Sequence, residues 1–98
     1  MGLWNKPETT ITKHVEILNR NGMHARPCSK FVKLAHTYNK TDVWVEKDGE
    51  QVSGKSIMGL MMLAAGNGSK LTLTCEGPEA VEAATALETL VANKFDEE

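Results

Sequence analysis

Polar and apolar residues begin to alternate at Thr10. Ile11, Val15 and Ile17 share one face and Thr12, His14 and Glu16 the other, the two-residue period of a half-buried strand, with Lys13 an exception. Asn19-Arg20-Asn21-Gly22 breaks the pattern with turn residues. The spacing then changes to three and four. Cys28, Phe31, Val32, Ala35 and Tyr38 form one apolar stripe with Lys30 and Lys33 facing water, which predicts an amphipathic helix ending at Asn39-Lys40-Thr41. Asp42-Val43-Trp44-Val45-Glu46 reads as a strand, Asp48-Gly49 as a hairpin turn and Gln51-Val52-Ser53 as its return strand.

Residues 57–65 break both periods, because they are apolar all the way round. Ser56 before them is a good N-cap, since its hydroxyl accepts from first-turn N–H groups. A short surface helix buries only one side, so its other side is spare and suggests a partner site; engulfment by the core is the alternative, given how readily Met fills core gaps. Gly66-Asn67-Gly68 is a turn, and the stretch from Lys70 to Cys75 alternates with Leu71, Leu73 and Cys75 inward. Gly77-Pro78 opens a final helix, with Pro78 expected at its first position and Val81, Ala84, Leu87 and Val91 as its buried stripe. Four strands with one apolar face, and helices that need cover, make a two-layer α+β sandwich over residues 10–92. Residues 1–9, with Leu3, Trp4 and Pro7, read as a loose leader, and residues 93–98 as an acidic end expected to fray.

Composition narrows the functional classes. The 98 residues form one domain large enough for a core without disulfides or metal. A net charge of -2 argues against general nucleic-acid binding. Cys28 and Cys75 lack zinc-site spacing and fall on core faces, so two reduced thiols are expected, although sequence leaves a single disulfide open. No apolar signal-peptide region follows Met1, and residues 57–65 are too short to cross a bilayer. A cytoplasmic protein with no membrane insertion is therefore expected.

The chemistry concentrates in Asn21-Gly22-Met23-His24-Ala25-Arg26-Pro27. His24 sits just before a helix, with Arg26 two residues on and Pro27 in the first turn, where proline removes only a donor that has no partner. Free first-turn N–H groups, the positive helix end and a guanidinium together attract an anion, and His24 puts a nucleophile beside it. A purely helix-capping role for His24 remains the other reading. His14 on an outward strand face and His36 in a last helical turn read as solvated side chains. No pair of histidines has metal-site spacing, so no metal is assigned.

Two motifs carry a resemblance. Gly22-Met23-His24-Ala25-Arg26-Pro27 and Gly54-Lys55-Ser56-Ile57-Met58-Gly59-Leu60-Met61 resemble the two signatures of the HPr family of the phosphoenolpyruvate-dependent phosphotransferase system, in the right order over about residues 10–92. The resemblance implies an open-faced sandwich of four antiparallel strands with three helices on one face. It implies that His24 accepts a phosphoryl group on Nδ1 from phosphorylated enzyme I and passes it to a histidine of an EIIA domain, with Arg26 as phosphate clamp. It implies regulatory phosphorylation of Ser56 by HPr kinase/phosphorylase, burial of Leu60 and Leu63, and docking through Ile57, Met58 and Met61. No cofactor is implied, and such a carrier is not a stand-alone catalyst.

Three features depart from the pattern. Cys28 stands where the family usually has a small residue such as Ala, and the first helix or its exit loop has one residue more than some relatives. Gly22-Met23-His24 and the ending Phe95-Asp96-Glu97-Glu98 also resemble the nitrogen-branch paralogue NPr, whereas Lys55-Ser56-Ile57-Met58-Gly59 looks like serine-regulated members. The alternative is thus a signalling module, regulatory or nitrogen-branch, whose phosphorylation state controls a partner such as a transcription regulator with little sugar flux.

Overall fold

The computed structural model describes residues 9–97; the leader expected over residues 1–9, with Leu3 and Trp4, lies almost wholly outside them. Its elements are β1 (Thr10–Glu16), α1 (Ala25–His36), β2 (Asp42–Lys47), β3 (Glu50–Ser53), α2 (Ile57–Met62), β4 (Lys70–Glu76) and α3 (Ala80–Ala92). The strands lie in the order β1-β4-β2-β3, and every neighbouring pair is antiparallel. Strand β4, the last in sequence, is central: it sets Val15 opposite Leu71 and Val43 opposite Cys75. Side chains on a strand alternate between faces, so this register puts the apolar residues of β1, β4 and β2 on one surface. Three helices cover that surface, leaving Thr12, His14, Thr72 and Thr74 on the open side. The result is an open-faced α+β sandwich.

Each helix buries the stripe that its spacing allows. In α1 the buried residues are Pro27, Cys28, Phe31, Val32 and Ala35. Gly54 sits beneath this helix, where an added Cβ would lie 2.4 Å from Val43 Cγ1 and 3.1 Å from Phe31 Cε1, so only glycine lets the two layers meet there. Leu60 in α2 and Leu63 at its C-cap are buried, and Ser56 Oγ accepts from Gly59 N at 3.0 Å as an N-cap. Cys28 and Cys75 are both buried and unpaired. Among the described residues no helix is long and apolar enough to cross a membrane, and no group of three or more His, Cys, Asp or Glu is placed to hold a metal.

Several expectations need correction. The last helix begins at Ala80 with Glu79 as N-cap, so Pro78 lies in the preceding turn rather than at the first helical position. Its buried stripe is Ala80, Ala83, Ala84, Leu87 and Val91, while Val81 is exposed. Ala84, Leu87 and Val91 are buried as expected, and alanines rather than Val81 complete the stripe because the close approach to the sheet selects the smallest side chains. Lys13 departs from the alternation because its Nζ reaches Glu88 Oε1 on α3 at 3.5 Å, at the margin of the helix-covered face.

The largest correction concerns the tail. Residues expected to fray fold back in a 3-10 turn, Lys94–Asp96, and Phe95 is fully buried. All three residues of that turn have positive φ, 57°, 56° and 59°. Left-handed backbone costs about 1–2 kcal/mol per non-glycine residue, of which burial of the phenyl ring returns about 1.5–3 kcal/mol in total. Lys30 Nζ on α1 donates to Phe95 O at 2.7 Å and ties the turn down.

Candidate functional site

The loop after β1 delivers His24 by a set of backbone contacts. Gly22 has φ +67°, and an added Cβ would lie 2.6 Å from Ala65 O and 2.7 Å from Gly66 Cα. Conformation and space both require glycine there. Met23 N donates to Ala65 O at 2.8 Å, so the segment leaving α2 holds the residue next to His24. Asn19 is fully buried, and its Nδ2 donates to Gly22 O at 2.7 Å across the same loop.

His24 occupies the N-cap position of α1 with extended backbone (φ -79°, ψ -172°), yet its side chain makes no capping hydrogen bond. The capping reading therefore fails, and the ring is left for other work. The first intrahelical bond runs from Cys28 N to His24 O at 3.1 Å, and Pro27 has no N–H. The N–H groups of Ala25 and Arg26 are thus the donors left over at the positive end of a twelve-residue helix. Beside them is an open pocket of about 320 Å³ lined by Arg20, Asn21, His24, Arg26 and Glu97. Two guanidiniums, an exposed helix end and an imidazole in one pocket fit a tetrahedral anion.

One member of this pocket escapes a reading of the sequence. Both carboxylate oxygens of Glu97 lie 3.3 Å from His24 Nε2. Among the described residues, no hydrogen-bond partner meets His24 Nδ1. Asn19 Nδ2 also donates to Glu97 Oε1, at 3.3 Å. No local pattern marks Glu97, which lies 73 residues from His24 along the chain and reaches the site because Phe95, two residues before it, is buried in the core. In the sequence Arg20 and Asn19 show only as turn residues, because a buried amide inside a turn leaves no periodic signal.

The cysteine one turn into α1 does not compete with the histidine. Cys28 Sγ donates to Met23 O at 3.3 Å, and burial pushes its thiol up to about 11, so it stays protonated and unreactive near neutrality. Burial likewise raises the Cys75 thiol, with the Lys55 ammonium partly opposing that.

The second motif lies on the neighbouring ridge. Ile57 (40%), Met58 (75%), Met61 (45%) and Met62 (67%) are exposed on α2, opposite the buried Leu60 and Leu63. Ser56 is half-buried at the start of the same helix. Of the residues singled out from the sequence, His24 and Arg26 share the pocket, while Ser56 and the apolar ridge lie outside its lining.

Comparison with known proteins agrees with this geometry. Residues 11–93 match the family model described as the PTS HPr component phosphorylation site. The phosphocarrier protein HPr of Treponema pallidum is 46% identical over 88 residues, covering 90% of this chain and 99% of that protein. The HPr-like protein Crh of Halalkalibacterium halodurans is 46% identical over 77 residues, covering 79% of this chain and 90% of that protein. The crystal structure of a phosphocarrier protein HPr from Bacillus anthracis superposes with a TM-score of 0.80 at 44% identity, covering 85% of this chain and 98% of that one. The chain therefore belongs to the HPr family, the phosphocarriers of the phosphotransferase system.

Proposed function

We propose that His24 is the residue that carries the phosphoryl group, taking it on Nδ1 from phosphorylated enzyme I and passing it to a histidine of an EIIA domain in sugar uptake. The observation that carries this reading is the N-cap imidazole that caps nothing: Nε2 is held by Glu97, and Nδ1, beside the first-turn N–H groups and Arg26, meets no partner among the described residues. Those donors match the oxygens of a transferring phosphoryl group and stabilise its charge without bonding to phosphorus. The setting for this exchange is the cytoplasm. The test is to incubate the protein with phosphoenolpyruvate and enzyme I, and to look for an acid-labile phosphate. Its onward transfer to a sugar-branch rather than a nitrogen-branch EIIA is expected; transfer only to the latter would favour the nitrogen-branch reading.

Arg26 offers two parallel donors to phosphate, which the single ammonium of lysine does not. Arg26→Lys is expected to slow phosphoryl acceptance roughly tenfold, since one lost oxyanion contact is worth that much or more. Arg26 is exposed, so urea unfolding should move by no more than about 0.5 kcal/mol. Normal transfer kinetics in this variant would remove Arg26 from the mechanism.

The exposed ridge of Ile57, Met58 and Met61 serves as the docking surface for these partners, because flexible Met side chains repack against different faces. Ser56 is the site at which HPr kinase/phosphorylase adds a regulatory phosphate in cells that possess that enzyme, and a transcription regulator is a further partner of that form. Its hydroxyl already caps α2, and a phosphate tolerates a helix N-terminus, so the fold survives. The added charge would sit next to an apolar docking face and oppose the encounter with enzyme I. Ser56→Asp is expected to lower the rate of His24 phosphorylation roughly tenfold through desolvation and repulsion at that face. A variant that accepts phosphate at the wild-type rate would count against inhibition through Ser56.

A further inference from the structure

We propose that Glu97 is a positioning residue for His24: its carboxylate takes the hydrogen bond from Nε2–H, leaving the lone pair of the neutral ring on Nδ1. The inference rests on the carrier reading of His24 and adds to it the residue that presents the ring. A carboxylate can only accept, and both of its oxygens lie 3.3 Å from Nε2. A neutral imidazole in this contact must therefore keep its proton on Nε2.

The contact is built rather than incidental. The Glu97 side chain is only 11% exposed, against 40% for His24, so the ring faces the pocket while its partner is held below it. Phe95, fully buried two residues earlier, fixes the turn from which Glu97 extends. Lys30 secures the carbonyl of that same residue at 2.7 Å. Asn19, also fully buried, spends one amide proton on Gly22 O and the other on Glu97 Oε1, coupling the carboxylate to the loop that delivers His24. Its own Oδ1 is buried without a partner, so the side chain is oriented for its two donations rather than for its acceptor.

The arrangement also suits the transfer step. The Nδ1 lone pair forms the new bond to phosphorus as the bond from phosphorus to the donor breaks, its electron pair returning to the donor. The Nε2 proton stays in place, so the phosphorylated ring gains positive charge, which the Glu97 carboxylate balances. Onward transfer runs in reverse: the N–P bond breaks, its pair returns to Nδ1, and the ring leaves as neutral imidazole. The same logic operates wherever a carboxylate holds the far nitrogen of a reacting histidine.

Glu97→Gln and Glu97→Ala in the full chain test the assignment through two readouts. In the first, 15N chemical shifts of the neutral His24 ring report which nitrogen holds the proton. Wild type is expected to show protonated Nε2, and both variants a larger share of the Nδ1–H form, more so in Glu97→Ala because glutamine retains an acceptor oxygen. In the second, acceptance of phosphate from enzyme I is expected to slow roughly three- to tenfold, in the same order, as for loss of one charge-assisted hydrogen bond at a partly exposed site. Ring shifts identical to wild type in both variants would overturn the assignment even if the rates fell, because a merely structural tail would slow transfer without altering the tautomer. Unchanged rates would overturn it as well. Failure of wild type to take phosphate would strike at the carrier reading instead, and the ring shifts would still decide whether Glu97 sets the tautomer.

Discussion

Replacing His24 by alanine is expected to abolish phosphoryl acceptance from enzyme I while leaving the fold in place. The imidazole side chain is 40% exposed and caps no helix donor, so its removal opens no cavity in the core. Substitutions at such positions usually stay within about 0.5 kcal/mol, and the urea midpoint should hardly move. The loss of labelling should be complete, because no other side chain is equipped to substitute. The Cys28 thiol is buried, with its pKa pushed up to about 11, and lacks the thiolate that would attack phosphorus. His14 stands on the open face of the sheet against Thr72, at 3.3 Å from its hydroxyl, with no helix end beside it. His36 is in the last turn of α1, at the negative end of the helix that has His24 at its positive end. Residual acid-labile phosphate in His24→Ala at a sizeable fraction of wild type would show that the carrier residue lies elsewhere.

Phe95→Ala is expected to cost about 3–5 kcal/mol, the range for emptying the site of a fully buried aromatic ring. Domains of this size have roughly 5–15 kcal/mol in total, so the urea midpoint should fall by a large fraction. The slope of the transition should not change, since the unfolded chain is unaltered in length and nearly so in exposed area. The ring matters beyond its own burial. It holds a turn of three left-handed residues in place, and release of that turn would withdraw both the Lys30 contact and the Glu97 carboxylate. Phe95→Leu, which refills most of the volume, should recover more than half of the loss. A Phe95→Ala midpoint within experimental error of wild type would mean that the tail is not packed as described.

The contrast between these two residues shows where the sequence is informative. His24 and Arg26 are legible because their chemistry is local: a helix start, a proline in its first turn and an arginine all fall within four positions. The strands and α1 are legible for a related reason, since a regular element buried on one side repeats its apolar residues at a fixed period. Phe95 and Glu97 obey no period. A lone aromatic among charges, just past a helix end, looks like a solvated terminus until the core has a space for it. The same limit applies to α2, whose run of Ile57, Met58, Leu60, Met61 and Met62 does not say which face is spare. Only contact with α1 and β3 buries Leu60 and leaves Met58 in water. In α3 the expected Ala84, Leu87 and Val91 are buried, but Val81 is exposed and Ala80 and Ala83 take the sheet-facing edge, because packing selects the smaller side chains there. Strand order is wholly tertiary: β4 lies between β1 and β2 although it follows both in sequence.

His24 Nδ1 as the covalent acceptor is the central claim, and one measurement addresses it at the level of the atom. Protein labelled with 15N is phosphorylated by phosphoenolpyruvate and enzyme I, and the one-bond 31P–15N coupling is read from the histidine ring. A coupling to Nδ1 of His24, with Nε2 still protonated, is the predicted result. Coupling to Nε2, phosphate on any other residue, or no phosphorylation at all would contradict it.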